Sequence, residues 1–260
     1  MPEMTQYERG VELRRLHHDP ALLVLVNVWD AASARVVAAL PGCRAVATAS
    51  YSIAAAHGYE DGEQIPLDLM LDTVGRIASA VDLPVTADLE GGYGNVDSTV
   101  KRAIEMGVVG ANIEDEMRPF GEAVAAVAVA VKAGEAEGIP FALNARTDAF
   151  LLAGDRDRAD VLADAIARGR AFLEAGATCV FVPGRLDAET IMALVDAYGD
   201  QRLSVLHVPG SLPQAELERL GVARISFGPW SQRVALTALA DVGAELLAGA
   251  SLPEGVRPVV

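Results

Sequence analysis

The chain has 260 residues, 36 of them acidic and 21 basic, for a formal charge of −15. That excess of acid repels phosphate backbones and anionic lipid headgroups, which excludes nucleic acid and membrane surfaces as first readings. Aromatic residues, at 5%, are too sparse for a base-stacking platform, and charged residues interrupt every apolar run short of the ~18 residues of a membrane span.

Residues 1–20 are polar and lack the apolar centre of a secretory signal. Cys43 and Cys179 are too few for a disulfide framework and have no CxxC spacing; they read as core residues, with a reactive thiol as the alternative. A cytoplasmic protein is expected. Short apolar runs rich in Val, Ile and Ala then alternate with longer stretches of helical spacing. The runs fall at 22–28, 45–50, 84–90, 109–115, 141–146, 179–183, 203–208 and 223–227. The helices are expected at 31–40, 66–81, 97–107, 121–137, 156–175, 187–198, 213–220 and 230–248.

Apolar runs without alternation indicate strands covered on both faces, as in a parallel sheet flanked by helices. Eight such βα units close most naturally into a (β/α)8 TIM-type barrel. Gly107, Gly138, Gly176 and Gly221 supply helix ends. No flexible linker divides the chain, so residues 1–260 read as one barrel domain, with an extension at 1–20 and a C-terminal helix and tail at 230–260. Val124 to Val131 contains only Ala and Val, which predicts a helix buried all round, with a subunit contact as its cover. The tail from Gly249, carrying Pro253 and Pro258, is expected either to pack on a neighbour or to be disordered.

Catalytic groups in such barrels lie at the C-terminal ends of the strands. The third run ends in Asp88, Leu89 and Glu90, followed by Gly91, Gly92, Tyr93 and Gly94. Residues i and i+2 of an extended segment share a side, which puts both carboxylates on one face, and a divalent cation offsets their repulsion. The fourth run adds Glu114 and Asp115. Carboxylates from adjacent strand ends, without His or Cys, suit Mg²⁺ or Mn²⁺ rather than zinc. The competing reading is that these acids cap the helices that follow. The fifth run brings Asn144, Arg146 and Asp148 to the same rim. Arg146 has the planar fork that binds a carboxylate or phosphonate; its alternative role is a salt bridge to Asp148 or Glu114.

This constellation resembles the isocitrate lyase and phosphoenolpyruvate mutase superfamily. Its DxDxGxG-like motif corresponds to Asp88 through Gly94, and its ED pair to Glu114 and Asp115. The likeness extends over Asn27 to Ala34, Thr48 to Tyr51, the turn from Gly58 to Glu63, and Asn144 to Arg146. The resemblance implies that Asp88 coordinates Mg²⁺, with Mn²⁺ as a substitute, and that Glu90, Asp61 and Glu114 complete the sphere directly or through water. It implies that Ala49, Ser50 and Tyr51 bind one carboxylate of a 2-oxo or enol acid and that Arg146 holds its charged end. Trp29, Asp30, Asn144 and His207 are further expected substrate contacts, and Arg146, Tyr93 and Glu114 the expected catalytic groups. Members make or break C–C or P–C bonds next to a pyruvate unit, with the ion stabilising the enolate. Members also exchange a C-terminal helix between subunits, which implies a homo-oligomer, dimer or tetramer; the apolar helix from Pro229 to Ala248 is compatible with that.

Two departures narrow the activity. Isocitrate and methylisocitrate lyases carry a KKCGH loop after strand four, whereas this chain continues Glu116, Met117, Arg118, Pro119, Phe120, Gly121. Neither cysteine can replace that loop's proton donor, so both activities are disfavoured. The phosphonate-handling branch has a lysine after the ED pair where Glu116 stands here, and the second Asp of its motif is the longer Glu90, which disfavours strict mutase activity. The acid/base half of the site is thus reassigned, with Tyr93, Arg118 and His207 as candidates; His207 alternatively reads as a packed structural residue. The resulting expectation is a Mg-dependent lyase that cleaves a C–C bond of a small 2-oxo or 2-hydroxy carboxylic acid. The alternatives are a P–C mutase or hydrolase and a non-catalytic carboxylate-binding barrel.

Overall fold

The computed structural model describes residues 4–256, and its nine strands form one all-parallel sheet. The strands are β1 (Leu23–Leu25), β2 (Asn27–Val28), β3 (Val46–Thr48), β4 (Val85–Asp88), β5 (Gly110–Glu114), β6 (Ala142–Arg146), β7 (Cys179–Val182), β8 (Leu203–Leu206) and β9 (Val222–Ser226). Eight runs become nine strands because the first is interrupted at Val26. Its lower half, β1, pairs with β9, and its upper half, β2, pairs with β3. That one interrupted strand closes the sheet into a (β/α)8-type barrel.

Asn27 holds the seam. Its side-chain amide donates to Thr48 O at 2.8 Å, while its Oδ1 accepts from the backbone N–H groups of Phe227 and Gly228 at 2.7 and 2.8 Å. Ser231 Oγ donates to Asn27 O at 2.6 Å. A single buried amide thus links both ends of the sheet where ladder bonds are missing.

The outer ring contains α2 (Ala31–Ala38), α4 (Leu67–Ala78), α5 (Val96–Glu105), α6 (Phe120–Ala136), α7 (Arg158–Glu174), α8 (Ala188–Tyr198) and α9 (Gln214–Arg219). Alternate strand residues such as Val85, Ala87, Ala111, Ile113, Leu143, Ala145, Val180 and Val182 pack against these helices. The residues between them, including Thr86, Asp88, Asn112, Asn144, Ser204 and Arg224, are buried polar groups or line the mouth. The strands therefore do alternate, contrary to the expectation of uniform apolar runs. The small residues between the polar ones disguise the pattern.

Two helices escape the run-and-helix reading. In α1 (Gln6–His17), only Gly10, Leu13, Leu16 and His17 are buried, and a Thr5/Glu8 capping box starts the helix. Leu13 and Leu16 join Leu23, Leu25, Ala45, Ala47, Val109 and Ala142 in a second apolar cluster, which plugs the N-terminal end of the barrel. Gly110 makes room for this plug, since a Cβ there would lie 2.7 Å from both Leu13 Cδ2 and Ala142 O. The other helix, α3 (Ser50–Ala56), starts inside the apolar run 45–50 and shortens β3.

The Ala/Val segment expected to be buried all round lies in α6, where only Ala123, Val127, Ala130, Ala133 and Gly134 are buried. That is one helical stripe facing the sheet, so α6 is an ordinary barrel helix; small side chains make even its exposed face read as apolar. In contrast, α10 (Trp230–Leu247) buries only Gln232 and exposes Val234, Leu236 and Leu239, the last at 67%. Residues 249–256 form no helix or strand, and the rest of the expected tail lies outside the described residues. No described helix is long and apolar enough to cross a membrane.

Replacing Asn27 with Ala removes three buried hydrogen bonds and strands two N–H groups and a carbonyl. Chemical denaturation is expected to show a loss of about 2–4 kcal/mol; an unchanged midpoint would mean the seam closes without it.

Candidate active site

Asp88 is the last residue of β4, and its position is fixed from three sides. Its N–H donates to Thr48 Oγ1 at 2.9 Å. One carboxylate oxygen accepts from Ser50 Oγ at 2.9 Å and Ser50 N at 3.2 Å, and the other faces Asn112 Nδ2 at 3.4 Å. The start of α3 therefore delivers Ser50 to the metal-ligand candidate itself. Ala49 caps that helix, and Tyr51 carries an exposed ring beside the Arg233 guanidinium, 5.4 Å away.

Glu90 does not share a strand face with Asp88 as the i, i+2 spacing predicts. The strand ends at Asp88, and Glu90 has a φ of 51°, a left-handed conformation that breaks the alternation. Its carboxylate accepts from Tyr93 OH at 3.1 Å and from the backbone N–H of Glu63, while Glu63 Oε1 accepts from Tyr93 N at 2.6 Å. Glu63 and Tyr93 also have positive φ, 58° and 52°. These reciprocal bonds lock the 58–65 loop to the 91–94 turn and spend the Tyr93 hydroxyl on Glu90. Burial holds the Tyr93 phenol well above its usual range.

At 3% exposure, Glu90 is almost dry, and burial raises its carboxyl to about 7, with Asp88 and Asp61 adding to the rise. Asp61 stands at the rim; desolvation and the charge of Asp88 raise its carboxyl too. Glu114, at the end of β5, is likewise pushed up by burial despite an ion pair with Arg146 Nη1. Arg146 donates from Nε to Asp148 at 2.7 Å, so one guanidinium serves two acids and both alternative salt bridges are present. The site thus gathers Asp61, Asp88, Glu90 and Glu114 around a single paired cation.

Other expected residues lie elsewhere. The Asp115 carboxylate turns away from the mouth to Arg168 at 3.1 Å, and it also accepts from the N–H groups of Met117 and Asp148, each at 3.0 Å. It is an anchor for the turn after β5. Arg118 closes that turn by donating to Gly91 O at 3.0 Å and Glu114 O at 2.8 Å and pairing with Glu116 at 3.0 Å. Gly91 permits this approach, because a Cβ there would sit 2.6 Å from Glu116 Oε2. His207 is bonded through Nε2 to Leu212 O at 3.1 Å and packs edge-on against Phe227, which is the packed structural alternative. Asp30 caps α2 through Ser33 N at 2.6 Å. Together with Trp29 it lines a cavity of about 620 Å³ between α2 and the start of α10, away from the carboxylates. Asn144 is buried inside the barrel, donating to Asn112 Oδ1 at 2.8 Å.

Sequence reading did not single out Thr48, Glu63 or Asn112 as partners of the carboxylates. The available signal was period-2 spacing: Asn112 precedes Glu114 by two residues, as Asn144 precedes Arg146.

A carboxyl that titrates at about 7 when folded and near 4.5 when unfolded binds more protons in the folded state between those values. The stability tied to Glu90 is therefore fully present below 4.5 and lost as pH rises through 7. In chelator, the melting temperature is expected to fall from about pH 5 to about pH 8, and Glu90→Gln to flatten that slope. Parallel slopes for the two proteins would contradict the assignment.

The sequence profile of the phosphoenolpyruvate phosphomutase family matches residues 13–247. The chain is similar to a Burkholderia cenocepacia protein provisionally described as a phosphonomutase, with a TM-score of 0.87, 40% identity, and coverage of 95% of this chain and 100% of that one. It is 31% identical to an uncharacterised protein of Mycobacterium tuberculosis over 93% of this chain and 91% of that protein. It is also 29% identical to the oxaloacetate decarboxylase of Pseudomonas entomophila, over 93% of this chain and 86% of that one. Carboxylates at the barrel mouth, the strand-end motifs and these likenesses agree: the chain belongs to the phosphoenolpyruvate phosphomutase family, within the phosphoenolpyruvate mutase/isocitrate lyase superfamily.

Proposed function

We propose that this protein is a divalent-metal-dependent lyase that cleaves a C–C bond in a small 2-oxo or 2-hydroxy carboxylic acid. The observation that carries the reading is the carboxylate group around Asp88, in which burial and mutual repulsion raise Asp61, Glu90 and Glu114. Such a cluster fits a hard cation. Among the described residues, no three His, Cys, Asp or Glu side chains form a ready-made cage. Mg²⁺ does not require one, because it typically takes one or two carboxylates and keeps several waters. Asp88 would be the direct ligand, with Asp61, Glu90 and Glu114 acting through water, and Mn²⁺ would substitute. When bound, the ion supplies positive charge for an enolate.

Arg146 has spent Nε on Asp148 and Nη1 on Glu114, which leaves the Nη2 edge to hold the charged end of a substrate. Ser50 N and Oγ already donate to Asp88, so of the expected contacts Ala49, Ser50 and Tyr51 it is the Tyr51 backbone N–H, at the start of α3, that would receive its carboxylate. The phosphonate-handling branch carries a lysine after the ED pair, where this chain has Glu116 ion-paired to Arg118 at 3.0 Å; the absence of that lysine supports C–C over P–C chemistry.

Calorimetry with Mg²⁺ and oxalate, an enolate mimic, tests this reading. Oxalate is expected to bind only with metal, and Asp88→Ala to abolish that binding; metal-independent binding would refute the reading. Turnover of phosphonopyruvate in place of malate-like or oxaloacetate-like acids would select the P–C alternative. Oxalate binding without turnover of any acid would leave a carboxylate-binding barrel.

We also propose that α10 is exchanged between subunits of a homo-oligomer and enters the groove beside α2 of its partner. An apolar helix with Val234, Leu236 and Leu239 in water loses about 1.5–3 kcal/mol of burial per side chain. Light scattering at micromolar concentration should give a dimer or tetramer, with Leu236→Asp and Leu239→Asp together giving a smaller species. A wild-type monomer would refute the exchange.

A further inference from the structure

Arg224, on β9, is a cation in the barrel interior at 1% exposure. Among the described residues, its one hydrogen bond to a protein acceptor runs from Nη2 to Asn112 Oδ1 at 3.3 Å, while Nε and Nη1 have no partner there. No carboxylate among the described residues lies within ion-pair distance of it. Its titratable neighbours on the lower side are uncharged. His17 is pushed down to about 3 by burial and by Arg224, and the Cys179 thiol is pushed up to about 12 by burial. The charge that Arg224 feels from above is that of Asp88, and burial lowers the guanidinium only to about 10, so it stays protonated at neutral pH.

A cation kept for stability is normally matched by an acid. One matched by a single amide oxygen costs the fold several kcal/mol of desolvation. Its effect therefore has to be sought at its partner. Asn112 Oδ1 faces two donors, Asn144 Nδ2 at 2.8 Å and Arg224 Nη2 at 3.3 Å. Turning the amide over would set its NH₂ group against both of them. Asn144 can turn over with it, because its own buried Oδ1 has no partner, but a guanidinium only donates, so it is Arg224 that fixes the orientation, and the fixed amide presents Nδ2 to Asp88 Oδ1 at 3.4 Å. The opposite side of Asp88 is held by Ser50.

We propose that Arg224 is a positioning residue that acts through the Asn112 amide to aim the Asp88 carboxylate at the barrel mouth. Arg224 touches no reacting atom. It sets the polarity of Asn112, and Asn112 in turn leaves Asp88 only one orientation in which both of its oxygens are satisfied. The consequence for metal affinity rests on the reading of Asp88 as the metal ligand. The aiming itself does not.

The test uses the full chain with two readouts. In crystal structures, Arg224→Met is expected to release the Asn112 amide and let the Asp88 carboxylate rotate about its Ser50 contacts, so that Oδ1 leaves Asn112. In titrations with Mn²⁺ alone, followed by electron paramagnetic resonance, Arg224→Met and Asn112→Leu should each weaken binding about 10–100-fold, the range typical of residues that orient a metal ligand. The double variant should lose no more than either single one, because both break the same chain of contacts. Arg224→Lys should recover part of the loss. Arg224→Met should be no less stable than wild type, since an apolar residue replaces a poorly matched buried cation; a merely structural arginine would instead give lower stability with unchanged Mn²⁺ affinity.

An Asp88 carboxylate unmoved in Arg224→Met overturns the proposal, as does additivity of the two losses. Should Arg224→Met fail to fold, Arg224→Lys and Asn112→Leu supply the same two readouts. Failure of wild type to bind Mn²⁺ would overturn the metal reading alone, and the crystallographic comparison would still decide the relay.

Discussion

Carboxyl groups held a few ångströms apart in a poorly hydrated pocket repel one another by several kcal/mol, even at the effective dielectric of a protein near its surface. At the C-terminal mouth of this barrel, Asp61, Asp88, Glu90 and Glu114 face that cost with one paired cation, Arg146, among them. Much of the surrounding structure is arranged to meet it. Ser50 and Asn112 donate to Asp88, Tyr93 and the Glu63 backbone donate to Glu90, and Arg224 lies beneath. Three residues with left-handed backbone conformations, Glu63, Glu90 and Tyr93, form the lock between the two loops. Strain of this kind persists where surrounding contacts over-determine it, and it concentrates at functional sites.

The barrel separates stability from chemistry by height. Its lower end is plugged by Leu13 and Leu16 of α1 over Leu23, Leu25 and Val109, and an apolar shell lies between the strands and the outer helices. The upper interior is polar. The turn after β5 belongs to the scaffold: Asp115, 2% exposed at the side chain, pairs with Arg168 at 8%, and Arg118 ties the turn to Gly91 and Glu114. A buried pair of this sort contributes rigidity at best, because its desolvation offsets much of its attraction.

The alternation of strands and helices, the barrel and the family were legible in the sequence because each rests on local pattern. Runs of β-branched residues followed by helical spacing specify βα units, and the carboxylates follow the strands at fixed positions. The split of the first strand was not legible, since nothing in Leu22 to Val28 distinguishes Val26 from its neighbours. Helix α1 was missed because its buried face is only two leucines wide. The apolar look of α6 misled for the opposite reason: small apolar side chains are common on a folded surface as well as inside it, so eight residues of Ala and Val describe an exposed face as well as a buried one.

Within the site, the sequence by itself determined which chemical groups gather at the mouth: acids at the ends of β4 and β5 and an arginine at the end of β6. Position along a strand follows directly from residue number. Only the tertiary structure decided which of those groups face one another. Asp115 and Arg118 turned into the scaffold, Glu90 left the strand face through a left-handed residue, and His207 became a packing group. Arg224, 136 residues beyond Asp88 in the chain, came to lie beneath it. Side-chain direction at a strand end depends on where the ladder stops and which distant donors await the carboxylate, and neither is encoded within a few residues of it.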